Sequence, residues 1–133
     1  MKQVFADTHY FLALLNARDQ AHLRAVEFSA RDDLAIITTL LVVTELANSL
    51  AKSSKRTALG RLFATLEADQ NTTLVWLPDG LFRRGIQYYA SRNDKDWSLV
   101  DCISFIVMEE HGIHEALTAD HHFEQAGFLA LLK

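Results

Sequence analysis

Gln3-Val4-Phe5-Ala6-Asp7 and Ala116-Leu117-Thr118-Ala119-Asp120 share one pattern, a short apolar run closed by an aspartate. Leu34-Ala35-Ile36-Ile37, Thr73-Leu74-Val75-Trp76 and Phe128-Leu129-Ala130-Leu131 are further short runs of the same kind. Runs this short and this apolar read as strands buried on both faces. Strands are therefore expected near 2–6, 34–37, 73–76, 116–118 and 128–131. The intervening stretches read as helices over 8–17, 20–30, 40–52, 55–69, 80–91 and 98–111, with a helical turn at 121–126. Pro78-Asp79-Gly80 marks a turn after the third strand. Strands alternating with helices predict a three-layer α/β fold. Its central, mainly parallel sheet has four or five strands flanked by helices. In such a sheet, strand ends and helix starts gather along one edge, where ligands bind.

The chain has 133 residues, half of them hydrophobic, which suffices for one domain with a proper core over 1–133. One proline and five glycines leave no sign of a flexible linker, and no internal repeat or low-complexity tract occurs. No uncharged apolar stretch reaches the roughly 18 residues that a membrane helix needs, and the N-terminal run does not resemble a signal peptide. The single cysteine, Cys102, excludes an internal disulfide and fits a reducing cytoplasm. With 13 Lys plus Arg against 17 Asp plus Glu the formal charge is −4. A nucleic-acid partner would have to be met by local basic patches and by metal ions, because the surface as a whole is not basic.

Four acids stand out: Asp7, Glu45, Asp101 and Asp120. Asp101 sits in Trp97-Ser98-Leu99-Val100-Asp101-Cys102, and Glu45 lies inside the apolar run Leu40-Leu41-Val42-Val43-Thr44-Glu45-Leu46. Each has an ordinary structural explanation. Asp7 and Asp120 stand where a carboxylate caps a helix, and Ser98 and Asp101 have nearly the spacing of a capping box. Glu45 fits a polar stripe with Asn48 and Lys52. Capping, however, is indifferent among Ser, Thr, Asn and Asp, yet all three start sites carry Asp. If the strands are parallel, all four acids map to one sheet edge, and their mutual repulsion calls for a cation.

Asp7-Thr8, Thr44-Glu45-Leu46-Ala47-Asn48, Trp97-Ser98-Leu99-Val100-Asp101-Cys102-Ile103-Ser104-Phe105 and the long run from Leu117 to Phe128, in that order, resemble a PIN domain. They resemble more closely the VapC-type ribonucleases of bacterial toxin–antitoxin pairs. The likeness spans the chain and is most specific in the C-terminal third. It implies that Asp7, Glu45, Asp101 and Asp120 are the metal-site acids, with Asp96 as an auxiliary carboxylate. It also implies hydrolysis of RNA to 5′-phosphate and 3′-hydroxyl ends, a cognate antitoxin as partner, and a homodimer. Mg²⁺, or Mn²⁺ in its place, suits such an oxygen set. Asp7, Asp101 and Asp120 would form the inner ligands, and Glu45 and Asp96 would hold metal-bound waters or a second ion. Residues 18–32 and 52–72 carry little of the pattern, which leaves the RNA and the antitoxin open.

Around these acids, Thr8 and Thr118 are placed to hold carboxylates or a phosphate through their hydroxyls, or to serve as ordinary strand and turn residues. Lys52, Lys55, Arg56 and Arg61 are the densest basic cluster, with Arg83-Arg84 and Arg92 elsewhere; RNA contact and a solvated helix surface are equal readings. Trp97 suits core packing better than base stacking. The six histidines match no zinc frame, though His122 lies near the acids by position. Cys102, within an apolar helix, reads as a buried, inert thiol. The helix of Tyr10, Phe11, Leu14 and Leu15 is either core or an antitoxin-docking face.

Two rivals remain. An aspartyl phosphatase would need a second acid two residues after Asp7, and His9 stands there instead. A catalytically silent PIN-like module that binds RNA or protein, its carboxylates serving as caps, is the alternative to the nuclease.

Overall fold

The computed structural model describes residues 1–133. Five strands, β1 (Lys2–Ala6), β2 (Leu34–Thr39), β3 (Thr72–Val75), β4 (Glu115–Leu117) and β5 (Leu129–Ala130), form one sheet. Seven helices connect them: α1 (Thr8–Leu15), α2 (His22–Ser29), α3 (Leu40–Ser49), α4 (Arg56–Ala68), α5 (Leu81–Ser91), α6 (Leu99–Glu110) and α7 (His121–Gln125). The strand order is β3-β2-β1-β4-β5, and every pairing is parallel. The three-layer α/β reading holds.

This order places the site. The chain winds outward from β1 through β2 to β3, then returns to the other side of β1 to lay down β4 and β5. The progression reverses between β1 and β4, and a crevice opens there beyond the strand carboxyl ends. Phe5 pairs with Ala116 and Ala6 with Leu117, so Asp7 and Thr118 emerge side by side at that reversal. The sheet pairing continues one step further, with the Asp7 amide donating to the Leu117 carbonyl.

Val4, Phe5 and Ala6 are all buried, as a central parallel strand covered on both faces requires. An aromatic cluster joins α6 and α7 in the core. Phe105 packs edge-on against Phe123, with centroids 5.0 Å apart, and against Trp97 at 5.1 Å. Gly85 of α5 lies against α6, where a Cβ would stand 2.3 Å from Ile103 Cγ1; the missing side chain sets how closely the two helices approach. Gly80, with φ of 89°, makes the expected turn into α5, a conformation that disfavours any residue with a Cβ.

The differences from expectation lie at element ends. Trp76 falls outside β3 and is 59% exposed, because the pairing ends at Thr39–Val75, where β2 turns into α3. The last strand shrinks to two residues, since β4 offers it only three. α3 stops at Ser49 rather than residue 52; Ser53 Oγ donates to the Leu50 carbonyl, a local bond that competes with another helical turn. No helix is long and apolar enough to cross a membrane.

Candidate active site

Asp7 follows β1 at the N-cap position of α1, yet its side chain makes no capping hydrogen bond. Its Oδ2 instead accepts from Thr118 Oγ1 at 2.8 Å. The carboxylate is therefore turned across the β1–β4 crevice rather than back onto its own helix. It is only 2% exposed. Burial pushes its pKa up to about 6, against the opposing Thr118 hydrogen bond and the positive influence of His9; the negative charge of Asp101 adds to the rise. A buried, acidic group with a raised pKa marks a place where charge is held at a cost.

The other three acids are tethered around it. Thr8, the residue after Asp7, donates from Oγ1 to Glu45 Oε1. Glu45 comes from α3, whose start is set by Thr39 accepting from the Val42 amide. Asp101 stands in the first turn of α6 in a capping box with Ser98, its Oδ2 accepting from the Ser98 amide at 3.1 Å. The same oxygen lies 3.0 Å from His122 Nδ1. An ionised carboxylate only accepts, so that nitrogen carries the proton. Asp120 caps α7, its Oδ1 accepting from the His122 amide at 2.9 Å, with His122 Nδ1 3.5 Å from the same oxygen. Thr118 Oγ1 also accepts from the Asp120 amide at 3.0 Å. One hydroxyl thus orients Asp7 and anchors the backbone of Asp120.

Four carboxylates from four elements are thereby linked through Thr8, Thr118 and His122. The cap explanation is correct for Asp101 and Asp120 and fails for Asp7. Capping and clustering are compatible, since each capping aspartate keeps an oxygen outside the cap. Asp96 is placed differently. It is exposed, makes no hydrogen bond or ion pair with the four, and lines a depression with Arg92, Asn93 and Lys95.

His9 is the residue sequence reasoning missed. Its Nε2 is 3.8 Å from Asp120 Oδ2, and one donor atom each from Asp7, His9 and Asp120 fall within 4.8 Å of one another. Its signal was its position two residues past a strand-end acid, on the helix that opens at the crevice.

The remaining residues divide. Trp97 is core, its Nε1 donating to Gln125 Oε1 at 3.0 Å, with the Arg92 guanidinium 4.7 Å over its outer face. Cys102 is wholly buried, and burial first, then the Asp101 charge, raises its thiol pKa; it is inert. Tyr10 and Phe11 are core as well. In the basic cluster Lys55 donates to the Leu15 carbonyl and Arg56 to Ala51 at 2.8 Å, so both serve helix ends, whereas Lys52 and Arg61 are exposed.

The PIN domain model matches residues 4–129, from β1 to β5. The chain belongs to the PIN domain family. It is 27% identical over 127 residues to the "23S rRNA-specific endonuclease VapC20" of two Mycobacterium tuberculosis strains, covering 95% of each chain. The crystal structure of that VapC20, described as a Sarcin-Ricin loop cleaving toxin, superimposes on this PIN domain with a TM-score of 0.84. The two are 25% identical, over 95% of this chain and 96% of the other. FitAcB from Neisseria gonorrhoeae shares the fold, with a TM-score of 0.64 at 16% identity over 96% of this chain and 94% of that one.

Proposed function

We propose that this PIN domain is a metal-dependent endoribonuclease that hydrolyses RNA phosphodiester bonds, acting in the cytoplasm as the toxin of a toxin–antitoxin pair. The observation that carries the reading is Asp7. A buried carboxylate held across the topological reversal, and not used as a cap, has no structural purpose that a serine would not serve better. This weighs against the silent binding module, whose carboxylates would all be caps. The likeness to a 23S rRNA endonuclease supports RNA as the substrate and makes 23S rRNA the first RNA to offer.

The donor set fits a hard divalent cation. Asp7, Asp101 and Asp120 would hold it, Mg²⁺ or Mn²⁺, with Glu45 and the more distant Asp96 contributing outer contacts. Such an ion supplies charge against the phosphate and a water of lowered pKa. The chain's own part is positional. Thr118 keeps Asp7 aimed across the crevice, Thr8 keeps Glu45 turned toward it, and His122 holds the Asp101 and Asp120 carboxylates at one spacing. Fixing acceptors before substrate arrives removes reorganisation from the reaction. Water attacks in line with the departing 3′-oxygen, leaving a 5′-phosphate, and the ribose 2′-hydroxyl takes no part.

An antitoxin is the proposed protein partner, and a second copy of the chain is another. The homodimer is supported by α5, where Phe82, Ile86 and Tyr89 recur on one face at 45%, 43% and 50% exposure. Asp79 before that helix and Lys95 beyond it carry opposite charges. An antiparallel two-fold packing would bring them together.

The test is cleavage of ribosomal and mixed RNA by purified, antitoxin-free protein with Mg²⁺, Mn²⁺ or EDTA, beside Asp7→Asn. Metal-dependent fragments with 5′-phosphate ends, absent from the variant, are expected. An Asp7→Asn protein cutting at the wild-type rate sinks the mechanism.

A further inference from the structure

We propose that His9 is a metal donor of this site, completing an Asp7–His9–Asp120 set that takes a first-row divalent ion such as Mn²⁺ in preference to Mg²⁺. The inference rests on reading the acids as a metal site and goes beyond it by adding a nitrogen and a selectivity.

Three observations carry it. First, the His9 Nε2 to Asp120 Oδ2 distance of 3.8 Å is too long for a hydrogen bond. Two donors on one octahedral ion with bonds of about 2.1 Å are separated by about 3.0 Å when adjacent and about 4.2 Å when opposite. The observed distance is longer than the adjacent spacing, so the half-exposed His9 ring would have to close by somewhat under about 1 Å on binding. Second, the atoms concerned are uncommitted. Asp7 spends Oδ2 on Thr118 and Asp120 spends Oδ1 on the α7 amide, which leaves an oxygen on each; the His9 ring makes no hydrogen bond. The His9 and Asp120 side chains are partly exposed, so an ion can reach them, with Asp7 buried at the base of the set. Third, the competing arrangement is partly committed: Asp120, His121 and His122 also converge, but His122 Nδ1 is spent on Asp101 Oδ2 at 3.0 Å, which leaves only its Nε2 for an ion.

The chemistry of the set then decides the ion. Carboxylate oxygens suit Mg²⁺ and Mn²⁺ alike, whereas an imidazole suits first-row transition ions, of which Mn²⁺ is the weakest binder, and gives Mg²⁺ little. His9 lies at the second position of α1, fixed by a helix whose Tyr10 and Phe11 are core, so the ring is carried on a rigid element next to Asp7.

The test uses the full chain loaded with Mn²⁺ alone and read by pulsed electron paramagnetic resonance, which detects nitrogen-14 bound to the ion. Modulation from one directly bound nitrogen is expected in the wild type, lost in His9→Ala and kept in His121→Ala. Mn²⁺ affinity, from titration calorimetry, should fall about tenfold in His9→Ala while Mg²⁺ affinity stays within about twofold. His9 is half-exposed, so the variant should fold, and its thermal transition checks this. Mn²⁺ bound without nitrogen modulation, or modulation persisting in His9→Ala, overturns the proposal and leaves the acidic site standing. Saturable binding that is absent, or untouched by Asp120→Asn, overturns the acidic site itself.

Discussion

At the carboxyl ends of β1 and β4, acids are drawn into the protein: Asp7 is 2% and Asp101 8% exposed, and both belong to one linked cluster. On α5 the reverse holds, with Phe82, Ile86 and Tyr89 left in water though the helix is well seated on α6. A chain shaped for stability alone would exchange these positions, since burying charge and exposing apolar surface both cost free energy. The first region is arranged to receive a cation and a phosphate, the second to receive another surface. Neither departure extends to the sheet between them, where Val4, Ile37 and Leu117 are buried.

The largest way to break the contrast is Asp7→Asn. Cleavage should fall by about three orders of magnitude or more, because a donor at the reacting centre is lost. Stability should move oppositely. The folded-state pKa of about 6 lies above the ordinary 3.8, so between those values the folded state holds more protons than the unfolded one. Stability attributable to Asp7 is then highest below pH 4 and is lost as pH rises through 6. The cost at neutral pH is about 2–3 kcal/mol, because a tenfold change in proton affinity corresponds to roughly 1.4 kcal/mol. Metal-free Asp7→Asn should therefore melt several degrees above wild type at pH 7 and with no advantage at pH 4. Calorimetric scans at the two pH values check this, and an equal gain at both would show that charge is not the cause.

Next in size is Gly85→Ala. The added methyl group meets Ile103, which is itself wholly buried, and overpacking of this kind costs about 1–3 kcal/mol. Ile103 is two residues from Asp101 on α6, so the strain reaches from one region toward the other. Chemical denaturation should show the loss, and the second change Ile103→Val should restore part of it. Failure of the second change to help would mean that α5 shifts rather than strains.

Much of the sheet-edge region was legible from the sequence. Buried parallel strands announce themselves as apolar runs, and the acids closing two of them are fixed in place once the strands are parallel. Ser98 and Asp101 gave their capping box by spacing, and of the readings left open for Thr8 and Thr118 the structure shows each hydroxyl on a carboxylate. What escaped depends on neighbours distant in the chain. Trp76 continues an apolar run, but its pairing partner ends with β2. His9 gains meaning only when Asp120, 111 residues away, arrives beside it. The α5 face is periodic in sequence, and only its emergence on the outside of the fold shows that nothing in the chain covers it.

Ile86→Asp tests the outer face. A charge in the middle of the stripe should shift the chain from dimer to monomer in analytical ultracentrifugation, with the association constant weakened about tenfold or more. Its own unfolding free energy should change by no more than about 0.5 kcal/mol, as for an exposed position. An unchanged dimer places self-association elsewhere, and a chain that is monomeric before the substitution assigns the face to a different partner.

The smallest expected effect belongs to Asp96→Asn. Asp96 is exposed and outside the Thr8–Thr118–His122 linkage, so its charge acts on the cluster only through water, where screening weakens it within about 8–10 Å. Cleavage should fall about two- to threefold, more at low ionic strength than at high, and the melting temperature should not move. The salt dependence is the informative part. A loss that fades with added salt fits a carboxylate acting at a distance, while a loss as deep as that of Asp7→Asn and indifferent to salt would mean that Asp96 swings inward when the ion binds. In that case the cluster would have five members, and the loop between α5 and α6 would join the outer apolar helix to the acidic edge.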